Sequence, residues 1–381
     1  MKKIYWRPST IPRLNLLIIA ILAIVSFASV ELFTIQKKRP YYSKKFQASL
    51  AMKQGMETIK NYRIKKIGPL NEEYDPAGSG MIGLPESPIS SKAGQLTAKQ
   101  NSINPNWAAV MVEMYKEAGL KTGDTVAMGF SGSFPALNLA AILAAEVLNL
   151  NIIPITSVAA STWGANIPDL TWLDMERILY REGIIKQKSV AASLGGLEDI
   201  ALSKSKKKRA LLRDAIERNG LHPLEFESTK EHIDERMALY WNFAGENRIA
   251  AYVNVGGSLG SLGKNTTKKL FNPGLNKNPS QEALRVDGVI TRFAREGTPV
   301  IHMIYVEKLL NEYGLAESLQ TIPEVGVGQI YSKVEYNLYL VIANLVILFI
   351  VLYAFLRSEI GYRIFGSSGT TQPPKHPEPM V

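Results

Sequence analysis

The apolar positions of this chain fall into two long unbroken runs near its ends, with shorter bursts between them. Residues 14–30 (LNLLIIAILAIVSFASV) form the first run, which continues less cleanly to Ile35. Residues 337–356 (NLYLVIANLVILFIVLYAFL) form the second, with Tyr331, Tyr336, Tyr339 and Tyr353 near its ends. About 20 apolar residues cross a bilayer, and tyrosines favour its interfaces. Both runs therefore predict transmembrane helices, at 14–35 and 336–356. Lys2, Lys3, Arg7 and Arg13 precede the first run, as in a signal peptide. No small-x-small cleavage site precedes a polar start, so the reading is an uncleaved anchor. Asn337, Asn344, Ser26 and Ser29 are candidates for hydrogen bonds between the two helices.

Between the runs the apolar bursts alternate between strand and helix lengths. Residues 124–129 and 152–158 read as buried strands around an Ala/Leu-rich helix opened by Pro135. Ser133 is the expected N-cap of that helix. A compact strand–helix–strand unit implies parallel strands joined by a right-handed crossover. Further strands are expected at 189–193, 248–255 and 299–304. Helices are expected at 105–118, with Asn104 as its cap, and at 171–182, 204–219, 229–244 and 306–313. The fold class is thus α/β: a mostly parallel, Rossmann-like sheet flanked by helices and bracketed by two single transmembrane helices. The expected segments are a basic tail at 1–13, a span at 14–35, a basic and partly helical stalk at 36–77, an α/β domain at 78–333, a span at 336–356 and a disordered, Ser/Gly/Pro-rich tail at 357–381.

Four strand-like runs end in loops of small residues: FSGS, SVAASTWGAN, ASLGG and GGSLGSLG. Ligands in such sheets sit beyond the carboxyl ends of the strands. Backbone amides there bind phosphate or carboxylate. The candidate ligand-binding residues are Ser131, Gly132, Ser133, Ser161, Thr162, Gly164, Asn166, Gly195, Gly196, Gly256, Gly257 and Ser258. Lys92, Lys99 and the Ser90-Ser91 pair, in a Gly/Pro/Ser/Lys-rich loop, are further donors to an anion. The competing reading of the glycines is tight turns and close packing. Neither a P-loop nor a Rossmann G-x-G-x-x-G follows the first strand, and no cofactor is expected.

Composition narrows the chemistry. The absence of cysteine removes disulfides, thiolate catalysis and Cys-ligated metals. The four histidines have no metal-ligand spacing, so no metal site is expected. A net charge of +10 gathers in clusters at 37–45 and 204–209. Basic runs beside a membrane meet anionic headgroups or an acidic polymer; no nucleic-acid motif accompanies them. Short terminal segments weigh more than long domains in the positive-inside balance. That balance places the termini inside and the central domain outside. Gly129 to Ser133 approximates the G-x-S-x-G nucleophile elbow, with Ser133 in the last position. A catalytic version would use Ser131 with His302 as base and Asp287 to orient it. Asp169, Asp174 and Glu176 are alternative acids or bases, against the plainer reading of helix-start carboxylates.

The strings INPNWAAVMVEMYKEAGLKTGDTVAMGFSGSFPALN, TWGANIPDLTWLDMER, SVAASLGG and AAYVNVGGSLGSLG resemble the membrane-associated poly-gamma-glutamate system protein family, over roughly residues 80–310. The resemblance implies a place beside the membrane machinery that makes or exports poly-γ-glutamate, a capsule or released polymer. It implies no catalytic residues. The expected function is a membrane-anchored accessory component of that synthesis or export. Its Gly/Ser rim would hold polymer, a glutamyl intermediate or a partner subunit, and its partners are the bilayer and the synthase or export subunits. The alternatives are a serine-dependent hydrolase or transferase on γ-glutamyl bonds, and a nucleotide-binding regulator.

Overall fold

A computed structural model describes residues 13–357. The basic tail at 1–12 and the tail beyond 357 lie outside the described residues. The chain divides into two compact units, residues Met1–Lys37 with Lys333–Val381, and residues Lys38–Ser332.

The first unit holds the helices Arg13–Leu32 and Leu338–Arg357 and most of a two-stranded sheet, β1 (Ile35–Lys38) with a strand from Ser332–Glu335. Among the described residues one helix is long and apolar enough to cross a membrane, over Leu338–Phe355. The earlier helix carries a shorter apolar run, Leu16–Leu32. A polar contact joins the two helices, and a second ties the first helix to the residue two before the other. Asn344 Nδ2 donates to Ser29 Oγ at 2.9 Å, Ser29 Oγ donates to the Ser26 carbonyl at 2.8 Å, and Tyr336 donates to Glu31 at 2.8 Å.

The second unit is built on a six-stranded sheet. Its strands are β2 (Thr125–Ser131), β3 (Asn151–Ser157), β4 (Ala191–Ser193), β5 (Ile249–Val255), β6 (Gly274–Asn276) and β7 (Val300–Met303). The order is β4-β3-β2-β5-β7-β6, all parallel except the edge strand β6, which runs antiparallel to β7. Strand β6 has no apolar alternation over its three residues and was not expected. The chain winds outward from β2 through β3 to β4. It then returns to place β5 on the other side of β2, so the winding direction reverses between β2 and β5.

Side-chain alternation splits the strands between two cores. Val126, Met128 and Phe130 pack with Val253, Val255 and the helices Tyr42–Lys66, Trp107–Glu117 and Pro135–Val147. Ala127, Ile153, Ile155, Ile249 and Tyr252 pack with the helices Thr229–Ala244 and Val289–Arg295 on the other face. A buried parallel sheet covered on both faces explains why its strands read as continuous apolar runs.

The segment expected as a stalk is part of this unit. Ala48, Met52, Met56 and Ile59 of the helix Tyr42–Lys66 are fully buried in the first core. Lys45 is also buried, bound to Glu113 at 2.6 Å and to the Ile330 carbonyl at 3.0 Å. The basic surface of this helix masked an apolar stripe spaced three and four residues apart. Two expected caps differ as well. Phe134 precedes the helix Pro135–Val147 without a side-chain cap, because Ser133 Oγ instead accepts from the Ser161 amide at 3.0 Å. The helix Trp107–Glu117 begins two residues later than expected, with Asn104 accepting from the Asn106 amide at 2.9 Å.

Candidate functional site: a basic cleft at the strand ends

The sheet register aligns Ser131 with Ser157, and Ser157 with Ser193. Three hydroxyls therefore form a row across the carboxyl ends of β2, β3 and β4. The reversal between β2 and β5 parts the loops that follow these two strands, and ligands of open α/β sheets settle at this crevice. Two adjoining cavities occupy it, of about 210 Å3 and about 400 Å3, and both are lined by Lys92, Ser133 and Gly257. The smaller lobe adds Ser131, Gly196, Ser258 and Asn265. The larger adds Lys99, Ser161, Gly256, Lys268 and Glu307. The helix Pro135–Val147 begins beside the cleft, and its dipole adds positive potential there.

Three lysines converge on this space. Among the described residues none of Lys92, Lys99 and Lys268 has a carboxylate within ion-pair distance. Lys99 is buried, donates to the Ser133 carbonyl and to Ser161 Oγ (2.9 Å), and lies 3.7 Å above the Phe134 ring. Burial pushes its pKa well below the ordinary lysine value, and the charges of Lys92 and Lys268 push the same way. Burial, then Lys268, lowers Lys92 too. Like charges held together without partners are unfavourable in the empty cleft and favourable once an anion arrives.

The loops are pinned from beneath by a buried charge network that the sequence did not reveal. Asp199 accepts from Ser157 at 2.6 Å, from Arg236 at 2.9 Å and from Ser258 at 3.1 Å, and it also binds Ser193. It is fully buried. Burial alone would raise its pKa, but Arg236 and then His232 outweigh that and hold the carboxyl well below its usual range. His232 Nε2 sits between the two, 2.5 Å from Arg236 Nε and 3.0 Å from the Asp199 carboxylate. Burial lowers the His232 pKa, against the pull of Asp199. Asp199 thus joins the ends of β3 and β4 to the loop after β5. It does so from a strained turn in which Glu198, Asp199 and Ala201 all have positive φ.

The other expected residues divide by role. Gly132 and Gly164 serve packing: a Cβ at Gly132 would lie 2.4 Å from the Val158 carbonyl, and one at Gly164 would lie 2.9 Å from Ser133 Cα. Gly256 takes φ 84° to turn the chain over Ser131. Gly257 differs, since a Cβ there would make only ordinary contacts, 3.6 Å from Lys92 Nζ and 3.8 Å from Lys268. Thr162 accepts from the Gly94 amide at 2.8 Å and gives its own amide to the Lys92 carbonyl at 3.0 Å. It holds the lysine loop in place. Asn166 is spent on Leu84 and Ser90. Gly195 gives its amide to the Asp199 carbonyl at 2.9 Å.

No imidazole lies within hydrogen-bond reach of Ser131 among the described residues; its hydroxyl accepts from the Ser133 amide at 3.2 Å. His302 is bonded through Nδ1 to Asn254 at 2.8 Å, and burial brings its pKa down to about 3. Asn254 also donates to the Gly256 carbonyl at 2.8 Å, so the pair braces that turn. Asp287 holds Arg292 through two contacts of 2.9 Å. The structure therefore does not assemble Ser131, His302 and Asp287 into a triad. Asp174 closes a capping box with Thr171 and pairs with Arg218, while Glu176 accepts from the Ser189 amide and hydroxyl. Asp169 is exposed. These carboxylates line neither lobe.

Fold and cleft together define a doubly wound α/β unit with a basic crevice at its switch point. Comparisons with protein-family models, with curated proteins and with solved structures find no match to this chain.

Proposed function

We propose that this protein is a membrane-anchored receptor for a polyanionic chain, and that the chain is poly-γ-glutamate during its synthesis or export. The observation that carries the reading is the convergence of Lys92, Lys99 and Lys268, without carboxylate partners, on a two-lobed cleft at the switch point of the sheet. Carboxylates on successive residues of an extended strand would meet the charges of Lys92 and Lys268, with Lys99 as a further N–H donor. The family resemblance of residues 80–310 supplies the identity of the polymer. In the same reading both apolar helices span the bilayer, the Asn344–Ser29 contact holds them together, and the central unit faces outward beside synthase or export subunits.

The alternative favoured by a specific observation is nucleotide binding, because nucleotides occupy the same switch point in doubly wound sheets. One experiment separates the two. The full chain in detergent micelles is titrated with poly-γ-glutamate and with ATP. The receptor reading expects polymer binding that ATP does not displace, weakened roughly a hundredfold by Lys92→Gln combined with Lys268→Gln, about 1.4 kcal/mol for each lysine. Binding of ATP alone would replace it with the nucleotide reading and return the central unit to the cytoplasm.

A further inference from the structure

Two residues of the larger lobe also contact each other. Ser161 Oγ and Lys99 Nζ lie 2.9 Å apart, both side chains are buried, and both line the 400 Å3 cavity. Ser161 is held in place: its amide is bonded to Ser133 Oγ at 3.0 Å and its carbonyl accepts from the Gly164 amide at 3.0 Å. Lys99 is held by the Ser133 carbonyl and the Phe134 ring. A Cβ at Gly94 would sit 3.1 Å from Ser161 Oγ and 3.3 Å from Lys99 Cε, so the chain passes close over the pair and limits access to the cavity side.

We propose that Ser161 and Lys99 form a nucleophile–base pair that cleaves or transfers an acyl group at an amide bond of the anionic chain held in the cleft. For its substrate class this inference rests on the receptor reading above. A serine is a poor nucleophile unless a neighbour takes its proton, and a lysine amine serves as that base when it is neutral. The surroundings of Lys99 favour the neutral amine: burial first, then two like charges in the same lobe, with Glu307 the carboxylate that lines it. Ser161 Oγ attacks the carbonyl carbon as its proton passes to Lys99 Nζ. The C–N bond breaks, and the leaving nitrogen takes that proton. The resulting ester on Ser161 is opened by water, or by the amine of a second chain. The incoming proton returns through Lys99 to Ser161 Oγ. Lys92 and Lys268 hold flanking carboxylates, and their charge favours the oxyanion.

The test uses the full chain in detergent and a fluorophosphonate probe, with the labelled peptide identified by mass spectrometry. The inference expects an adduct on Ser161. Labelling should vanish in Ser161→Ala and slow at least a hundredfold in both Lys99→Met and Lys99→Arg. Arginine keeps the charge but cannot accept the proton, so a lysine that serves only as a structural tie would be rescued by it. Melting temperatures are measured alongside. A Lys99 variant that keeps a cooperative melt shows that lost labelling is not unfolding. Polymer binding by the unmodified chain is measured on the same preparation. Polymer binding without a Ser161 adduct, or labelling that survives both Lys99 changes, overturns the dyad and leaves the receptor reading intact. A Lys99-dependent adduct on Ser161 without polymer binding supports the dyad and overturns the receptor reading.

Discussion

At the scale of single residues, this protein buries charge in three ways. Asp199 is fully paired and hydrogen-bonded, so its desolvation is offset. Lys99 is desolvated without an anion, which is costly in the resting protein and useful only if something binds. Glu176 lies between them: the Ser189 amide and hydroxyl help it, but burial dominates and pushes its pKa up to about 7 from near 4.5. A carboxyl whose folded pKa is raised holds its proton in the folded state after the unfolded chain has lost it. Stability therefore falls as pH rises from about 4.5 to about 7, by on the order of 3 kcal/mol at full effect. Glu176→Gln should remove that slope and raise the denaturation midpoint at pH 8 relative to the parent. Urea melts of both proteins across this pH window check it; parallel curves would contradict it. The serines and Lys92 were legible as donors because they stand in small-residue loops; Lys99 was read with them, although it lies in the helix Leu96–Ser102. Asp199 and Arg236 were not, because they are 37 residues apart and nothing local marks a charge pair that only the fold creates.

At the scale of elements, the site is a consequence of register. Ser131, Ser157 and Ser193 share a row because β2, β3 and β4 are parallel and in step. The loop after β4 is held against that row by Asp199, in a turn where three residues other than glycine take positive φ. Such backbone strain persists only where surrounding contacts over-determine it. Asp199→Asn keeps the shape and removes the charge opposite Arg236, and breaking a buried pair in this way costs about 3–5 kcal/mol. Hydrogen exchange should accelerate at residues 195–201 and 256–260 ahead of the central strands; unchanged protection there would show that the network does not brace the loops. Most helices and five of the six sheet strands were legible from apolar periodicity and glycine stops. Strand β6 was too short to carry a pattern. The helix Tyr42–Lys66 was read as a stalk because its seven lysines and arginines conceal the buried Ala48, Met52, Met56 and Ile59.

On the scale of the whole molecule, positive charge is distributed in two different settings. The lysines at 206–208 are exposed on the helix Lys206–Glu217, where salt screens them. In the cleft Lys99 is buried and Lys268 half-buried, and the exposed Lys92 lines the same cavity beside them, so an anion seated there is less open to screening by salt. A receptor for an acidic polymer must use the second set, whereas general attraction to polyanions would use the first. The most direct test is the affinity of the full chain for poly-γ-glutamate, compared among the parent, Gly257→Leu and a triple change of Lys206, Lys207 and Lys208 to Gln. Gly257 has room for a Cβ and none of the positive φ that would strain it, so a leucine there extends between Lys92 and Lys268 and removes no charge. The account predicts at least a tenfold loss, about 1.4 kcal/mol, for Gly257→Leu and little change for the triple variant. The reverse order, with the surface lysines carrying the affinity and the filled cleft binding as well as the parent, would contradict it.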